Sequence, residues 1–514
     1  MAMKPKRLLA LIALLTIVAA CSQEAPETAT ELRDSLIIAF DSSPTHLDAR
    51  VGNDQNTGRV FDLIYAGLVR VTTSGDHEPD LAESWTMPDD TTIVFKLREG
   101  LVFHDGTPLT ASDVVFSFQS LIAEDFPGPK KSGYTDVASI EATDDLTVVF
   151  RLTVANAGIF DTLNLGIVPE GSAHEVLRTE PIGAGPYRLV EFRPDEKVVL
   201  ESFDRFHGGE PSIRNIMIRV VPDSTTRVLE LRRGSIDFAL NNVPFDSVLK
   251  FQNDPRMRVV AEPGAIYQYV AFNLRNEYLA KLAVREAIAH AIDRERIVRD
   301  LMLGFGAVTE TLFPPGHWAH NKDLTSWNYE PNLARQLLDD AGYPDPDGNG
   351  PATRFNLTFK TSTDEETNLQ AEIIQQMLAE VGIGIRIQSN EFGVFYDDIT
   401  KGNFELFSLR RAGVNDPDFY TFMFDSSNTP PNGQNRGYYS NARVDELLAE
   451  GRVTFDREKR IEIYGEVQTI LANELPYLSL YHRSNIAIMN SDIEGFRMHP
   501  AGFLLTLPAV RWRE

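Results

Sequence analysis

Residues 81–118 constrain the fold more than any other part of the chain. They read LAESWTMPDDTTIVFKLREGLVFHDGTPLTASDVVFSF. Residues 91–98 alternate apolar and polar side chains, which is typical of a half-buried β-strand. Gly100 and the pair Asp105-Gly106 favour tight turns, because these residues tolerate positive φ at low cost. The pattern predicts strand, turn, strand, turn and then a helix.

The predicted helix carries its own start signal. Thr110 is followed three residues later by Asp113, a spacing at which side chains satisfy the free N–H groups of the first turn. An apolar stripe at helical spacing follows, made of Val114, Val115, Phe118, Leu121 and Ile122. Elsewhere, periodicity predicts helices over 58–69, 224–233, 283–303, 329–341 and 456–474, and strands over 35–40, 144–153, 213–221, 236–240, 267–273 and 477–481.

The same stretch resembles the signature of the family-5 extracytoplasmic solute-binding proteins of ABC importers, the oligopeptide-, dipeptide- and nickel-binding class. The resemblance rests on the segments HDG at 104–106 and LTA at 109–111 within a long match. It implies an α/β fold of the periplasmic-binding-protein-like type (class II), with two large lobes joined by hinge crossovers plus an extra inserted lobe. It implies a ligand cleft between lobes and leaves the ligand open.

The resemblance also implies how the chain is divided. Residues 1–21 would be a signal peptide with a lipobox, and 22–31 a tether. A discontinuous first lobe would comprise 32–71, 183–262 and 484–514. Residues 72–182 would form the inserted lobe and 263–483 the third lobe.

The first 21 residues have the features of a targeting segment. Basic residues precede an apolar run over 8–20 that is short for a membrane span. The run ends at Cys21, the only cysteine, in a pattern that resembles a bacterial lipobox and implies acylation of Cys21. The alternative is a plain signal peptide with an incidental cysteine. We therefore expect a monomer in the periplasm or at the cell surface, anchored to the membrane by a lipid.

Charge and motifs exclude several classes of function. Lys and Arg number 49 against 74 Asp and Glu, a net charge of −25, which argues against nucleic acid as a partner. The sequence contains no Gly-x-Ser-x-Gly, His-Glu-x-x-His or phosphate-loop motif. Residues 345–350 resemble the start of a calcium loop, but Asn356 stands where a glutamate would complete it. We expect no catalytic residues, no metal and no cofactor.

Binding residues are expected in and after a strand that begins at Phe404, with the sequence FELFSLRRAGVNDPDFYTFMF. Arginine grips a carboxylate through two parallel hydrogen bonds, and aspartate holds an ammonium. The alternative is that the arginines and aspartates pair with each other and shape the loop. The candidate ligand residues are Arg410, Arg411, Asn415, Asp416 and Asp418.

Comparison with the family extends this set and also marks a departure. In peptide-binding members, an aspartate three residues before an Asp-Pro pair clamps the α-amino group, and here that position is Gly413. The same comparison implies four further cleft residues, namely Asn53, Gln55, Tyr134 and Tyr481. The alternative for each of them is a role in packing.

The function implied is that of a lipid-anchored solute-binding protein. It would capture a peptide or similar polar solute in the cleft between lobes and deliver it to the membrane permease of an ABC importer. Two alternatives remain open at this stage: a surface peptidase or hydrolase that reuses the fold, and a sensor or chaperone-like peptide binder without a role in transport.

Overall fold

The computed structural model describes residues 34–348, 350–411, 413–431 and 433–513. The expected signal segment, Cys21 and the tether lie outside these residues. Among the helices described, none is long and apolar enough to cross a bilayer.

The fold is a mixture of strands and helices along the whole described chain. The strands are β1 (Ser35–Phe40), β2 (Val69–Val71), β3 (His77–Pro79), β4 (Ala82–Asp89), β5 (Thr92–Leu97), β6 (Val137–Asp144), β7 (Thr147–Leu152), β8 (Tyr187–Arg193), β9 (Lys197–Ser202), β10 (Asn215–Val220), β11 (Phe238–Leu240), β12 (Met257–Phe272), β13 (Gly306–Val308), β14 (Phe355–Ser362), β15 (Ile383–Asn390), β16 (Leu406–Arg411), β17 (Tyr477–Asn490), β18 (Ile493–Glu494) and β19 (Arg511–Trp512). The helices are α1 (Gln55–Ile64), α2 (Ala111–Ile122), α3 (His174–Leu177), α4 (Ser224–Arg233), α5 (Phe245–Phe251), α6 (Leu282–Ala291), α7 (Arg294–Leu301), α8 (Pro331–Asp340), α9 (Glu365–Ala379), α10 (Phe392–Thr400), α11 (Phe419–Phe424), α12 (Ala442–Val453) and α13 (Arg457–Glu474).

The stretch over 81–118 folds as its local chemistry predicts. It forms β4, β5 and α2, and the Asp113 carboxylate accepts a hydrogen bond from the Thr110 amide at 2.8 Å. β5 pairs antiparallel with β7, so that Ile93 lies opposite Phe150. The four-stranded sheet β4-β5-β7-β6 buries one face against α2. These elements build the inserted lobe.

A second sheet connects the two large lobes. In the described chain it has eleven strands, with the path β15-β14-β16-β12-β17-β11-β1-β10-β9-β8 and β13 joined to β17. β1 pairs in parallel with both β10 and β11, so the sheet is partly parallel. Within the expected boundaries, β1 and β8–β11 belong to the first lobe, and β14–β16 with α6–α13 belong to the third lobe.

β12 and β17 run through both large lobes. They pair antiparallel over most of their length, with a register shift between Pro263 and Tyr267. The boundaries expected at 262/263 and 483/484 fall inside these two strands. The ladder hydrogen bonds of the long strand pair are interrupted at this irregularity, which lies close to both expected boundaries.

Several predicted boundaries are wrong, and each has a local cause. The helix predicted over 58–69 is α1, which begins earlier because the Asp54 side chain accepts from the Thr57 amide and caps it. The helix predicted over 283–303 is two helices, α6 and α7. Ile292 is extended between them, and Asp293 caps α7 by accepting from the Arg296 amide.

Candidate ligand-binding site

A crevice of about 150 Å³ lies where β12 and β17 pass between the two large lobes. Gln55 contributes from the start of α1, and Asn241 and Phe245 from the segment after β11. Ile266 of β12 and Arg483 of β17 line the opposite side. The crevice therefore draws residues from both lobes at the hinge, which is where ligands bind in proteins of two lobes.

A buried ion pair fixes the loop that presents Gln55. Arg50 and Asp48 are 1% and 0% exposed, and Arg50 Nη2 lies 2.7 Å from Asp48 Oδ2. Arg50 also donates to Ser120 Oγ at 2.8 Å in the inserted lobe. The loop is thus held to two lobes before α1 begins, which places Gln55 on the crevice and leaves Asn53 exposed.

Four charged side chains form a cluster at the edge of the crevice. Arg483 Nη1 lies 2.9 Å from Glu366 Oε2, and Glu366 Oε1 lies 3.6 Å from Arg410 Nη1. Arg410 Nη2 lies 3.3 Å from Asp364 Oδ1. We call these four residues the charged cluster. Two cations and two carboxylates, all partly exposed, can exchange their internal partners for the carboxylate and ammonium of a ligand.

Tyr481 lies beneath the charged cluster and does not line the crevice. Its ring is buried, and its hydroxyl donates to Gln370 Oε1 at 2.5 Å. Gln370 in turn donates to Ser408 Oγ at 2.9 Å. Glu366 and Gln370 lie one turn apart on α9, so this buried network fixes the helix that carries half of the cluster.

The loop over 413–418 is held by contacts within the third lobe. Arg460 donates to both carboxylate oxygens of Asp416, at 2.6 and 2.8 Å. The Asp418 amide donates to Asp416 Oδ1 at 2.8 Å, and the Asn415 carbonyl accepts from His317 at 2.8 Å. Burial raises the pKa of the Asp418 carboxyl. The loop is therefore shaped internally, but by Arg460 rather than by the arginines of the preceding strand.

Those two arginines differ in their surroundings. Arg410 belongs to the charged cluster, whereas the Arg411 guanidinium lies over the ring of Phe419, 4.8 Å from its centroid. Arg411 Nε is buried without a hydrogen-bond partner among the described residues. Gly413, the position of the family's amine clamp, is exposed with φ of 50°.

Tyr134 lies in a different cavity, of about 500 Å³, between the first and inserted lobes. Its hydroxyl donates to the Thr162 carbonyl at 2.7 Å. Of the ligand-binding candidates from the sequence, Gln55 alone lines the crevice and Arg410 alone lies at its edge, in the charged cluster.

Sequence reasoning missed Asn241, Phe245, Glu366 and Arg483. Asp364 could have been found from the sequence. It caps α9 by accepting a hydrogen bond from the Thr367 amide three residues later, and that spacing is a helix-start signal. Arg483 and Glu366 carry no such signal, since they are 117 residues apart and meet only through tertiary packing. In the described residues there is no group of three or more His, Cys, Asp or Glu that could hold a metal ion. Asn349, in the segment that resembles a calcium loop, lies outside them.

Comparison with known proteins identifies the family. The profile of the bacterial extracellular solute-binding proteins, family 5 Middle, matches residues 76–432. The oligopeptide-binding protein AppA of Bacillus subtilis is 28% identical over an alignment of 490 positions, which covers 90% of this chain and 89% of that protein. Heme-binding protein A of Haemophilus influenzae is 27% identical over 545 residues, covering 98% of both.

A solved structure agrees with this at the level of the fold. The structure of AppA from Bacillus subtilis in complex with a nonapeptide superposes with a TM-score of 0.74 at 26% identity, covering 93% of this chain and 99% of that one. Since the family profile spans more than half of its length, this chain belongs to the bacterial extracellular solute-binding proteins, family 5, and is a binding protein rather than an enzyme.

Proposed function

We propose that this chain captures a peptide or similar zwitterionic solute in the crevice and delivers it to the permease of an ABC importer. The observation that carries the proposal is the charged cluster. A zwitterion presents one carboxylate and one ammonium, and Arg410 and Arg483 alternate with Asp364 and Glu366 along one edge of the crevice. Charge-assisted hydrogen bonds to both ends of such a ligand are about twice as strong as neutral ones.

The hinge supports capture by closure. β12 and β17 link the lobes, and their register shift lies beside the crevice. A solute that contacts both lobes stabilises the closed arrangement, because only differential contacts move an open–closed equilibrium. The permease would then recognise the closed, loaded form. The relatives named for oligopeptides favour a peptide.

We further propose the lobe boundaries at 71/72, 182/183, 262/263 and 483/484, a monomer, and a lipid anchor at Cys21. Gln55 and Arg410 are proposed as ligand contacts together with Asn241, Glu366 and Arg483. Asn53 is exposed two residues before Gln55 and outside the crevice lining, and it is proposed as a contact for a ligand that extends out of the crevice. For Tyr134, Arg411, Asn415, Asp416, Asp418 and Tyr481, their packing and internal hydrogen bonds favour supporting roles.

Native mass spectrometry of the protein as purified tests the capture. We expect a peptide-sized mass to co-purify with the wild-type protein and to be depleted in Arg483→Ala. Co-purification of an equal amount with both proteins would contradict binding at the crevice. The matched control is Arg443→Ala, which removes an arginine from an exposed ion pair with Glu466 on α13, in the third lobe.

The anchor is tested separately by fractionation of cells that express the full chain. We expect the wild-type protein in the membrane fraction and Cys21→Ser in the soluble fraction. Equal partition of both would contradict acylation of Cys21 and would leave the proposed capture unaffected.

A further inference from the structure

A cavity of about 200 Å³ lies between the inserted lobe and the third lobe. The inserted lobe lines it with β3, β4 and the segment after β7, and the third lobe lines it with the start of α13 and Trp318. Among the described residues, its lining and that of the crevice share no member. An apolar cavity of about 150 Å³ is large enough to hold benzene, so this cavity can hold one substituted aromatic ring.

Aromatic side chains line the cavity from both lobes. Trp85 and Phe160 belong to the inserted lobe, and their ring centroids are 5.6 Å apart. Trp318 and Phe455 belong to the third lobe. Contacts between aromatic rings contribute more than the burial of their area alone. A flat ring in the cavity would therefore be held by aromatic contacts to both lobes.

Arg457 is the charged group of the lining whose hydrogen-bonding capacity is least used. A guanidinium carries several N–H donors, but among the described residues the only ionic partner of Arg457 is Asp76. Its Nη1 is buried without a hydrogen-bond partner there. Its guanidinium also lies over the ring of Trp318, 4.0 Å from the centroid. The unused donors of Arg457 are thus located beside the aromatic wall of the cavity.

The carboxylates around the cavity are occupied by partners within the protein. Both oxygens of Asp416 accept hydrogen bonds from Arg460, at 2.6 and 2.8 Å. One oxygen of Asp76 pairs with Arg457, and the other accepts from Ser74 Oγ at 2.7 Å. What remains available is a set of donors on a cation, which suits a ligand with a carboxylate better than one with an ammonium.

We propose that this cavity is a second binding site, for a small aromatic carboxylate. The carboxylate would pair with Arg457, and the ring would pack against Trp85, Phe160 and Trp318. Because such a ligand would contact both lobes, it would also hold the inserted lobe against the third lobe. This goes beyond the capture of a zwitterion at the crevice and does not depend on it.

The test uses benzoate as the probe and benzamide as its uncharged counterpart of matched shape. Titration calorimetry measures both affinities. Trp85 and Trp318 are two of the four tryptophans of the chain, so a ring bound beside them should also change the tryptophan fluorescence. We expect benzoate to bind the wild-type protein at least about tenfold more tightly than benzamide. Absence of benzoate binding, or equal affinity for both probes, would overturn the proposal.

Two substitutions separate a contact with the ligand from a structural effect on the lobes. Arg457→Gln removes the charge, and we expect it to lose at least about tenfold in affinity for benzoate but little in affinity for benzamide. Asp76→Asn removes the charge of the partner and leaves Arg457 in place, so it should bind benzoate at least as tightly as the wild-type protein. Equal losses in both variants, or wild-type affinity in Arg457→Gln, would overturn the proposal.

Two further variants locate the probe. Met87→Trp enlarges a partly exposed side chain of the lining and should weaken the binding of both probes. Arg483→Ala removes a cation of the charged cluster and should keep wild-type affinity for benzoate. Full binding in Met87→Trp, or loss of benzoate binding in Arg483→Ala, would overturn the proposal. Since Arg483→Ala is also the variant expected to lose the co-purified peptide, failure of this site and failure of the crevice are distinguishable.

Discussion

The third lobe contains a buried ion pair between Asp416 and Arg460. Asp416 and Arg460 are 10% and 7% exposed in their side chains, and they form two parallel hydrogen bonds. Breaking a buried pair by removing one partner leaves an uncompensated charge and costs roughly 3–5 kcal/mol. We expect Asp416→Ala to lower the free energy of unfolding by about that amount, measured by urea denaturation.

The control is the exposed pair between Arg443 and Glu466, with side chains 49% and 46% exposed. Water and salt screen such a pair, so Arg443→Ala should cost much less than Asp416→Ala. Losses of equal size would show that burial does not determine the contribution of the Asp416 pair.

Four buried histidines predict a dependence of stability on pH. Burial lowers the pKa of His104, His317, His482 and His499 to about 4 each, against about 6.5 in the unfolded chain. The unfolded state binds protons first as the pH falls. The stability that these neutral histidines provide is therefore complete above pH 6.5 and is lost progressively towards pH 4.

Four buried carboxyls oppose this trend, and two of them are Asp161 and Asp418, whose pKa burial raises. Burial raises the pKa of Asp62 to about 7 and of Asp237 to about 6, so the folded state binds those protons first and gains stability as the pH falls. The four histidines take up protons in the unfolded chain near pH 6.5, at the centre of this range, and we expect their effect to be the larger one. The free energy of unfolding should therefore decrease from pH 7.5 to pH 5 by a few kcal/mol. Urea denaturation at both values measures it, and a value that is higher at pH 5 would contradict the histidine account.

At the level of elements, two glycines set how closely the segment after residue 180 packs against α1. The Gly185 amide donates to the Ile64 carbonyl at 2.9 Å. A Cβ at Gly183 would meet the same carbonyl oxygen. The sequence Gly-x-Gly-Pro at 183–186 therefore serves close backbone packing at the end of α1.

This packing predicts different effects for two glycine substitutions, one at Gly183 beside the end of α1 and one at Gly58 within α1. Gly183→Ala should destabilise the protein by about 1–3 kcal/mol or more, because the backbone must move. Gly58→Ala, within α1 and with open space around its Cβ, should be neutral or stabilise by up to about 1 kcal/mol. Thermal unfolding of both variants measures this, and destabilisation of equal size would contradict the packing argument.

The elements that the sequence predicts best are those with local signals. The alternation over 91–98 and the Thr110 cap lie within a few residues of the structure they specify, and both are confirmed. β12 and β17 are longer than the strands predicted over 267–273 and 477–481, because the two strands pair with each other across more than 200 residues of sequence. The site residues also divide into those with a local sequence signal and those without one. Arg410 follows from the polar end of a predicted strand, whereas Arg483 and Glu366 become neighbours only when α9 packs beside β17.

For the whole molecule, the inserted and third lobes touch through polar contacts. Arg452 Nη2 lies 2.8 Å from Asp136 Oδ2, Arg457 pairs with Asp76, and the Trp318 amide donates to the Ser74 carbonyl at 3.0 Å. These ion pairs are partly exposed and each contributes little to stability, while Phe455 of the third lobe packs against the core of the inserted lobe. Such a contact suits a lobe that must move when a solute enters or leaves.

Removal of Asp76 and Asp136 tests this contact. In the double variant Asp76→Ala with Asp136→Ala, we expect faster hydrogen exchange over residues 452–460 and a larger radius of gyration in solution, with little change in global stability. The matched control is Asp90→Ala with Asp145→Ala, exposed carboxylates in the turns of the inserted lobe. The same exchange rates and radius in both double variants would contradict a contact that holds the lobes together.

The central claim is that the crevice between the large lobes binds a zwitterionic solute through the charged cluster. Titration calorimetry with a pool of unmodified tripeptides, and with the same pool acetylated and amidated at its ends, tests it directly. The account predicts that the wild-type protein and Arg443→Ala bind the unmodified pool, and that Arg483→Ala binds it at least about tenfold more weakly. Equal affinity of wild-type protein for both pools, or of Arg483→Ala and wild-type protein for the unmodified pool, would contradict it.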